Sequence, residues 1–131
     1  MQQLVFHPAW DKTIAEQDRK EIVETFKDIQ LENEPPIQMT VLKEAFNYKG
    51  ELLVTGIIHN LTESDYSPDG DDVIYQKNEE KIAEKTFSIA DLVIKGKTST
   101  PWTFIFPEDA IMQRPLSNQP GQIMIQAKSS R

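Results

Sequence analysis

A mainly β fold of the α+β class is what this sequence predicts: an immunoglobulin-like antiparallel β-sandwich of about six or seven strands behind one N-terminal helix. Three observations carry that prediction. Trp102, Phe104 and Phe106 recur at every second position between Pro101 and Pro107, and side chains two apart on a strand share a face, so three large aromatics there mark a core strand. Other short alternating segments follow one another through proline- and glycine-bearing turns without βαβ alternation, which favours an antiparallel sandwich over a doubly wound sheet. Helical spacing occurs only near the start of the chain.

The helix is expected within His7–Ile29, with its body at about 12–30. Thr13 followed by Glu16 has the form of a capping box, and Ile14, Ile22, Phe26 and Ile29 make one apolar stripe. The opposite side carries Glu16, Asp18, Arg19, Lys20, Glu21, Glu24 and Lys27, including an i,i+4 pair from Glu16 to Lys20, and reads as a solvated face. Glu34-Pro35-Pro36 ends the helical region, because proline holds the residue before it in extended geometry. A sandwich at about 37–128 then completes a single domain spanning 1–131.

Ile37, Met39 and Val41 alternate with polar neighbours, and Asn47-Tyr48-Lys49-Gly50 turns the chain into the apolar run Glu51–Asn60, so these two strands are expected to pair as a hairpin. Leu61–Asp72 is a polar loop rich in turn formers. Val73–Gln76 and Ile82–Phe87 are two shorter strands around an acidic turn, Lys95–Thr100 holds another turn before the aromatic strand, and Gln122–Ala127 is the last strand.

At 131 residues the chain has the size of one domain able to bury a core without staples. Cysteine is absent, which excludes disulfides and thiolate metal sites. The first residues lack the basic patch and apolar run of a signal peptide, and no stretch of about 18 apolar residues provides a membrane span, so the expectation is a cytoplasmic protein, at most peripheral to a membrane. A net charge of −7 opposes phosphate backbones and anionic lipid, so nucleic acid is not expected as a partner.

Residues with chemical potential are few. His7 and His59 are 52 positions apart with no ligand motif between them, and His59 is expected to be an ordinary edge or surface histidine. Asp65, Asp69, Asp71 and Asp72 bring carboxylates together, but their spacing fails the EF-hand pattern and a turn on Pro68-Asp69-Gly70 explains them, with at most weak calcium binding. No serine lies in a nucleophile-elbow setting. The sequon Asn60-Leu61-Thr62 matters only in a secreted eukaryotic chain. The expectation is a non-enzymatic module with no cofactor, no catalytic residues and no metal ligands. Trp10, Tyr48 and Tyr66, aromatics outside the expected core strand, are the candidate partner surface. A tryptophan before a helix packs under it, with its indole N–H bonded nearby.

From Ile82-Ala83-Glu84-Lys85-Thr86-Phe87 through Leu92-Val93-Ile94 to Ser99-Thr100-Pro101-Trp102-Thr103-Phe104-Ile105-Phe106-Pro107, the chain resembles the SLAP domain, a family named for S-layer assembly proteins of low-GC Gram-positive bacteria. The run Leu53–Asn60, an apolar strand ending in asparagine, and Leu4-Val5-Phe6-His7-Pro8-Ala9-Trp10 before an acidic helix are similar to that family as well. Here the domain stands in one copy. The resemblance implies a binding or assembly module whose partner is a protein, in particular secretion or cell-envelope machinery such as an accessory Sec system. It implies no catalytic residues. Two other classes compete: a small-ligand or metal-binding protein, and a domain that oligomerises with itself through a sheet edge.

Overall fold

The alternating segments become two packed sheets in the computed structural model of the protein, which describes residues 2–33, 35–113 and 121–126. Strands β1 (Gln3–Leu4), β2 (Ile37–Phe46), β3 (Leu52–Asn60) and β6 (Thr98–Phe106) form one sheet in the order β1-β6-β3-β2, and β4 (Asp72–Lys77), β5 (Glu80–Thr86) and β7 (Gln122–Gln126) form the other in the order β5-β4-β7. Four strands facing three is the layer plan of an immunoglobulin-like sandwich.

Inward residues alternate as the pleat requires. Leu52, Val54 and Ile58 of β3 meet Val73, Tyr75, Ile82, Ala83 and Ile123 from the second sheet, and Phe104 and Phe106 close the core from β6. Trp102 packs against the same cluster although its outer edge stays partly exposed. Phe87 lies with its ring 5.0 Å from that of Phe104 and 5.4 Å from that of Phe106, so the aromatic strand sits where its period placed it.

The hairpin of β2 and β3 pairs Ile37 with Asn60 and Phe46 with Leu52. Its turn is built by Asn47, whose Oδ1 accepts from the backbone N–H groups of Lys49 and Glu51 at 3.0 Å each, and by Gly50 at φ +79°. Between β4 and β5 the chain turns through Asn78 and Glu79, both at positive φ, the geometry of a type I′ hairpin that matches the twist of its strands.

One register shift has structural weight. Between Val41 and Lys43 the β2 strand carries a bulge at Leu42, which swaps the parity of every later residue. Ile37, Met39 and Val41 face the core, and after the bulge Glu44 takes the inward position. There it accepts from the Tyr75 hydroxyl and pairs with Lys77 at 2.7 Å across the two sheets.

The segment expected to form one helix forms two. Helix α1 covers Pro8–Thr13 and α2 covers Glu16–Asp28, and Ile14 and Ala15 between them are extended, with ψ of 136° and 148°. The capping box does not form. Thr13 Oγ1 instead donates to the Ala9 carbonyl one turn back, α2 begins at Ala15 without a side-chain cap, and the cap of α1 is His7, whose Nδ1 accepts from the Ala9 N–H at 3.0 Å. Arg19 ties the two helices together: its guanidinium reaches Asp11 Oδ1 at 2.8 Å and lies over the Phe6 ring.

β1 is an addition to the expected strands, and it runs parallel to β6. Its shortness has a cause in the partner. Val5 N–H donates to the Ser99 carbonyl, and the next rung of a parallel ladder would need an N–H from Pro101, which proline lacks.

Candidate functional site

The outer face of the four-stranded sheet is not left to solvent, because α1 and α2 lie over it and make a third layer. Under α2, Phe26 stacks on His59 with ring centroids 6.3 Å apart, and Ile22 is buried in the same layer. Along its other part the helical layer stands off from the sheet and leaves a cleft of about 490 Å³. That volume lies within the range of ordinary ligand pockets.

Each wall of the cleft follows from a local pattern. Asp18, Glu21, Ile22, Thr25 and Asp28 recur at three- and four-residue steps and share one side of α2, about 15 Å long at 1.5 Å per residue. Across the sheet, Lys43, Thr55 and Thr103 are a single row of paired residues on β2, β3 and β6. The two threonine hydroxyls share one hydrogen bond at 2.8 Å across the floor. The bulge turns Leu42 into the cleft beside Lys43, and Trp10 and Ile14 from the broken helical segment line it as well. The site therefore combines an apolar lining with a rim of Asp18, Glu21, Glu24 and Asp28, against the single cation Lys43.

His59 is the main departure from the sequence reading. It is 0 % exposed on a central strand, with Nδ1 at 2.7 Å from Ser99 Oγ and Nε2 at 2.9 Å from Thr40 Oγ1. Burial holds its pKa down at about 4, against 6.5 for a free histidine, because the imidazolium would have to leave water. A neutral ring carries one donor and one acceptor, and two hydroxyls match either tautomer. Gln2 Nε2 extends the network by donating to Ser99 Oγ at 3.2 Å. With Ser99 and His59 both sealed, this pair presents no nucleophile to a substrate. His7, the second histidine, stands edge-on to Trp102 at 5.3 Å and bonds the Asp91 carbonyl through Nε2.

The three aromatics expected to form a partner surface are not brought together. Trp10 lies within α1 rather than before it and is half-buried in the lining of the cleft. Tyr48 sits at the β2–β3 turn and is 93 % exposed. Tyr66 is half-buried against the core and donates its hydroxyl to Asp71, and burial together with that carboxylate raises its pKa, so it belongs to the fold and not to an open surface.

Internal donors engage the aspartates of the loop. Asp71 accepts from Tyr66, Asp69 Oδ1 from the Ile89 N–H at 2.7 Å, Asp72 from Thr86, and Asp65 pairs with Lys95 at 3.4 Å. Among the described residues no group of three or more histidine, aspartate or glutamate side chains is arranged to hold a metal ion. Asn60 of the sequon is fully buried: its amide donates to the Ser64 and Ile94 carbonyls and its Oδ1 accepts from Thr62. Such a side chain is out of reach of glycosyl transfer in the folded state. Within the described residues no helix is long and apolar enough to cross a membrane.

Sequence reasoning missed Leu42, Thr55 and Thr103 as site residues, and it read the carboxylates of α2 as plain solvated charge. The available signal was the helical side shared by Asp18, Glu21 and Ile22, which is half apolar and half acidic. Compared with known proteins, the chain matches the SLAP domain family over residues 4–127. Neither a curated protein nor a solved structure matches it.

Proposed function

The chain thus belongs to the SLAP domain family, and on that premise we propose that it works as a non-enzymatic binding module serving the export or assembly of cell-surface proteins. The observation that supports this reading best is the cleft between α2 and the outer face of the sheet, an open recess with apolar lining, a charged rim and a floor on which two threonine hydroxyls share a hydrogen bond. Such a recess favours holding a partner over transforming one, because catalysis needs an acid, base or nucleophile poised toward the bound group. The partner in this reading is a protein of the secretion or envelope machinery, met in the cytoplasm or at the membrane periphery.

The test is a pull-down of tagged protein from an extract of its own organism, split into soluble and membrane fractions and run at two salt concentrations. Trp10→Ala and Leu42→Ala empty the cleft, and Tyr48→Ala serves as a surface control. Capture of translocase or surface-layer components by the native chain and the Tyr48 variant, with loss in the two cleft variants, is the expected result. Recovery of no such component in either fraction overturns the secretion assignment, and capture indifferent to the cleft variants overturns the cleft as the binding site.

A further inference from the structure

The cleft has a charge pattern that selects among partners, and from it we infer that its occupant is a short, positively charged segment of a partner protein that also carries apolar side chains. This rests on the reading of the chain as a binding module and names the chemistry of what it binds.

Asp18, Glu21, Glu24 and Asp28 stand on one wall, and Lys43 alone offsets them from the other. The side chains of Asp18, Glu24 and Asp28 make no ion pair or hydrogen bond among the described residues, and Glu21 has only a long contact of 3.4 Å from Gln17 Nε2. Four carboxylates elsewhere in the fold do have cation partners: Asp11 with Arg19, Glu44 with Lys77, Glu84 with Lys81, Asp65 with Lys95. Among the described residues, the acidic wall of the cleft thus sets carboxylates without an ion-pair partner beside an apolar recess.

The floor and end of the recess are Trp10, Ile14, Ile22, Leu42 and the methyl-bearing Thr55 and Thr103. A hydrophilic polycation would leave these groups wet, an anionic segment would be repelled by the wall, and a purely apolar one would leave its carboxylates unmatched. A segment that sets Leu, Ile or Phe side chains against the floor while Lys or Arg reaches the carboxylates satisfies both surfaces. Arginine suits the wall best, since its fork pairs with a carboxylate in two bonds.

The probe is a short fluorescein-labelled peptide of Lys, Arg, Leu and Phe, read by fluorescence anisotropy on the full chain. Its controls carry Glu in place of Lys and Arg, or Ser in place of Leu and Phe, and spermidine serves as a competitor without apolar groups. The variant Asp18→Asn/Glu21→Gln/Glu24→Gln/Asp28→Asn keeps shape and exposure, with circular dichroism checking the fold. Binding of the cationic apolar peptide alone, a loss of roughly tenfold in the neutralised variant, and a marked decline as the Debye length falls from about 30 to about 3 Å are the expected results. Equal binding of the Glu peptide, equal binding by the neutralised variant, or complete competition by spermidine overturns the inference. If the Glu or Ser peptide binds and Trp10→Ala abolishes that binding, the partner chemistry is wrong while the cleft remains a binding site; if translocase capture in the extract ignores the cleft variants, the binding-module reading fails on its own terms.

Discussion

Acid should weaken this fold through the buried ring of His59. His59 is enclosed by Thr40, Ser99 and Phe26, and its pKa in the native state is held at about 4. In the unfolded chain the ring titrates near 6.5. Above about pH 7 both states hold a neutral imidazole and the residue adds no pH dependence. As pH falls below 6.5 the unfolded state takes up a proton that the native state refuses, so stability drops until the native ring also protonates near 4. At about pH 4.5 the unfolded ring is protonated by about a hundred to one and the native ring by only about one to three, which amounts to a loss of about 2.5 kcal/mol relative to about pH 7.5. The perturbation is His59→Gln, which keeps a donor and an acceptor for the two hydroxyls but does not titrate. Urea unfolding of both proteins at the two pH values isolates the effect, since carboxylate contributions are common to both and cancel in the difference. The native chain should lose about 2.5 kcal/mol more than the variant. Parallel losses in the two proteins would refute the reasoning, because they would mean that the buried ring takes its proton as readily as a free one.

Alkali should act through the tyrosines. Tyr66 and Tyr75 both have raised pKa values, from burial first and then from the Asp71 and Glu44 carboxylates, so above about pH 10 the unfolded state alone gives up their protons and stability falls by up to about 2.7 kcal/mol per pH unit. Chemical denaturation of the native chain and a Tyr66→Phe/Tyr75→Phe variant should show a much flatter alkaline limb in the variant. Asn60→Ala should cost about 3 kcal/mol in urea unfolding, since it strips the amide donor from the Ser64 and Ile94 carbonyls in a buried position. Glu44→Ala should cost more than Tyr75→Phe, about 2 against about 1 kcal/mol, because only the former also takes the 2.7 Å partner from Lys77, which is 7 % exposed. Gly56→Ala should destabilise by about 3 kcal/mol or prevent folding, as its Cβ would stand 2.4 Å from the Thr40 carbonyl oxygen and 2.6 Å from Met39 Cε; a melting temperature unchanged from the native chain would count against that contact.

Period-two alternation at Trp102, Phe104 and Phe106 and the run Leu53–Asn60 placed the core strands, because strand pleating acts between residues two apart and is written directly in the sequence. The turns at Asn47–Gly50 and Pro68–Gly70 were legible for the same reason: asparagine, proline and glycine constrain their own neighbourhood. The break at Ile14–Ala15 was not, since no proline or glycine marks it and Thr13 with Glu16 imitates a cap. It accompanies contacts that spacing does not announce: Arg19 ties α2 to Asp11 and Phe6, and Trp10 and Ile14 face the cleft. Tyr66 looked free because nothing local shows that Asp71 and the core would claim it.

By itself, then, the sequence determined the class of fold, the hairpins and the aromatic core, all of which rest on interactions within a few residues of one another. Tertiary structure alone decided the fate of His59 and the existence of the cleft. A histidine that follows two isoleucines on a strand carries no mark of the helix that will cover it, and the row Lys43, Thr55 and Thr103 is assembled from three strands whose register no local pattern specifies. Burial and charge balance are properties of what packs against a residue, and they appear only once distant segments meet.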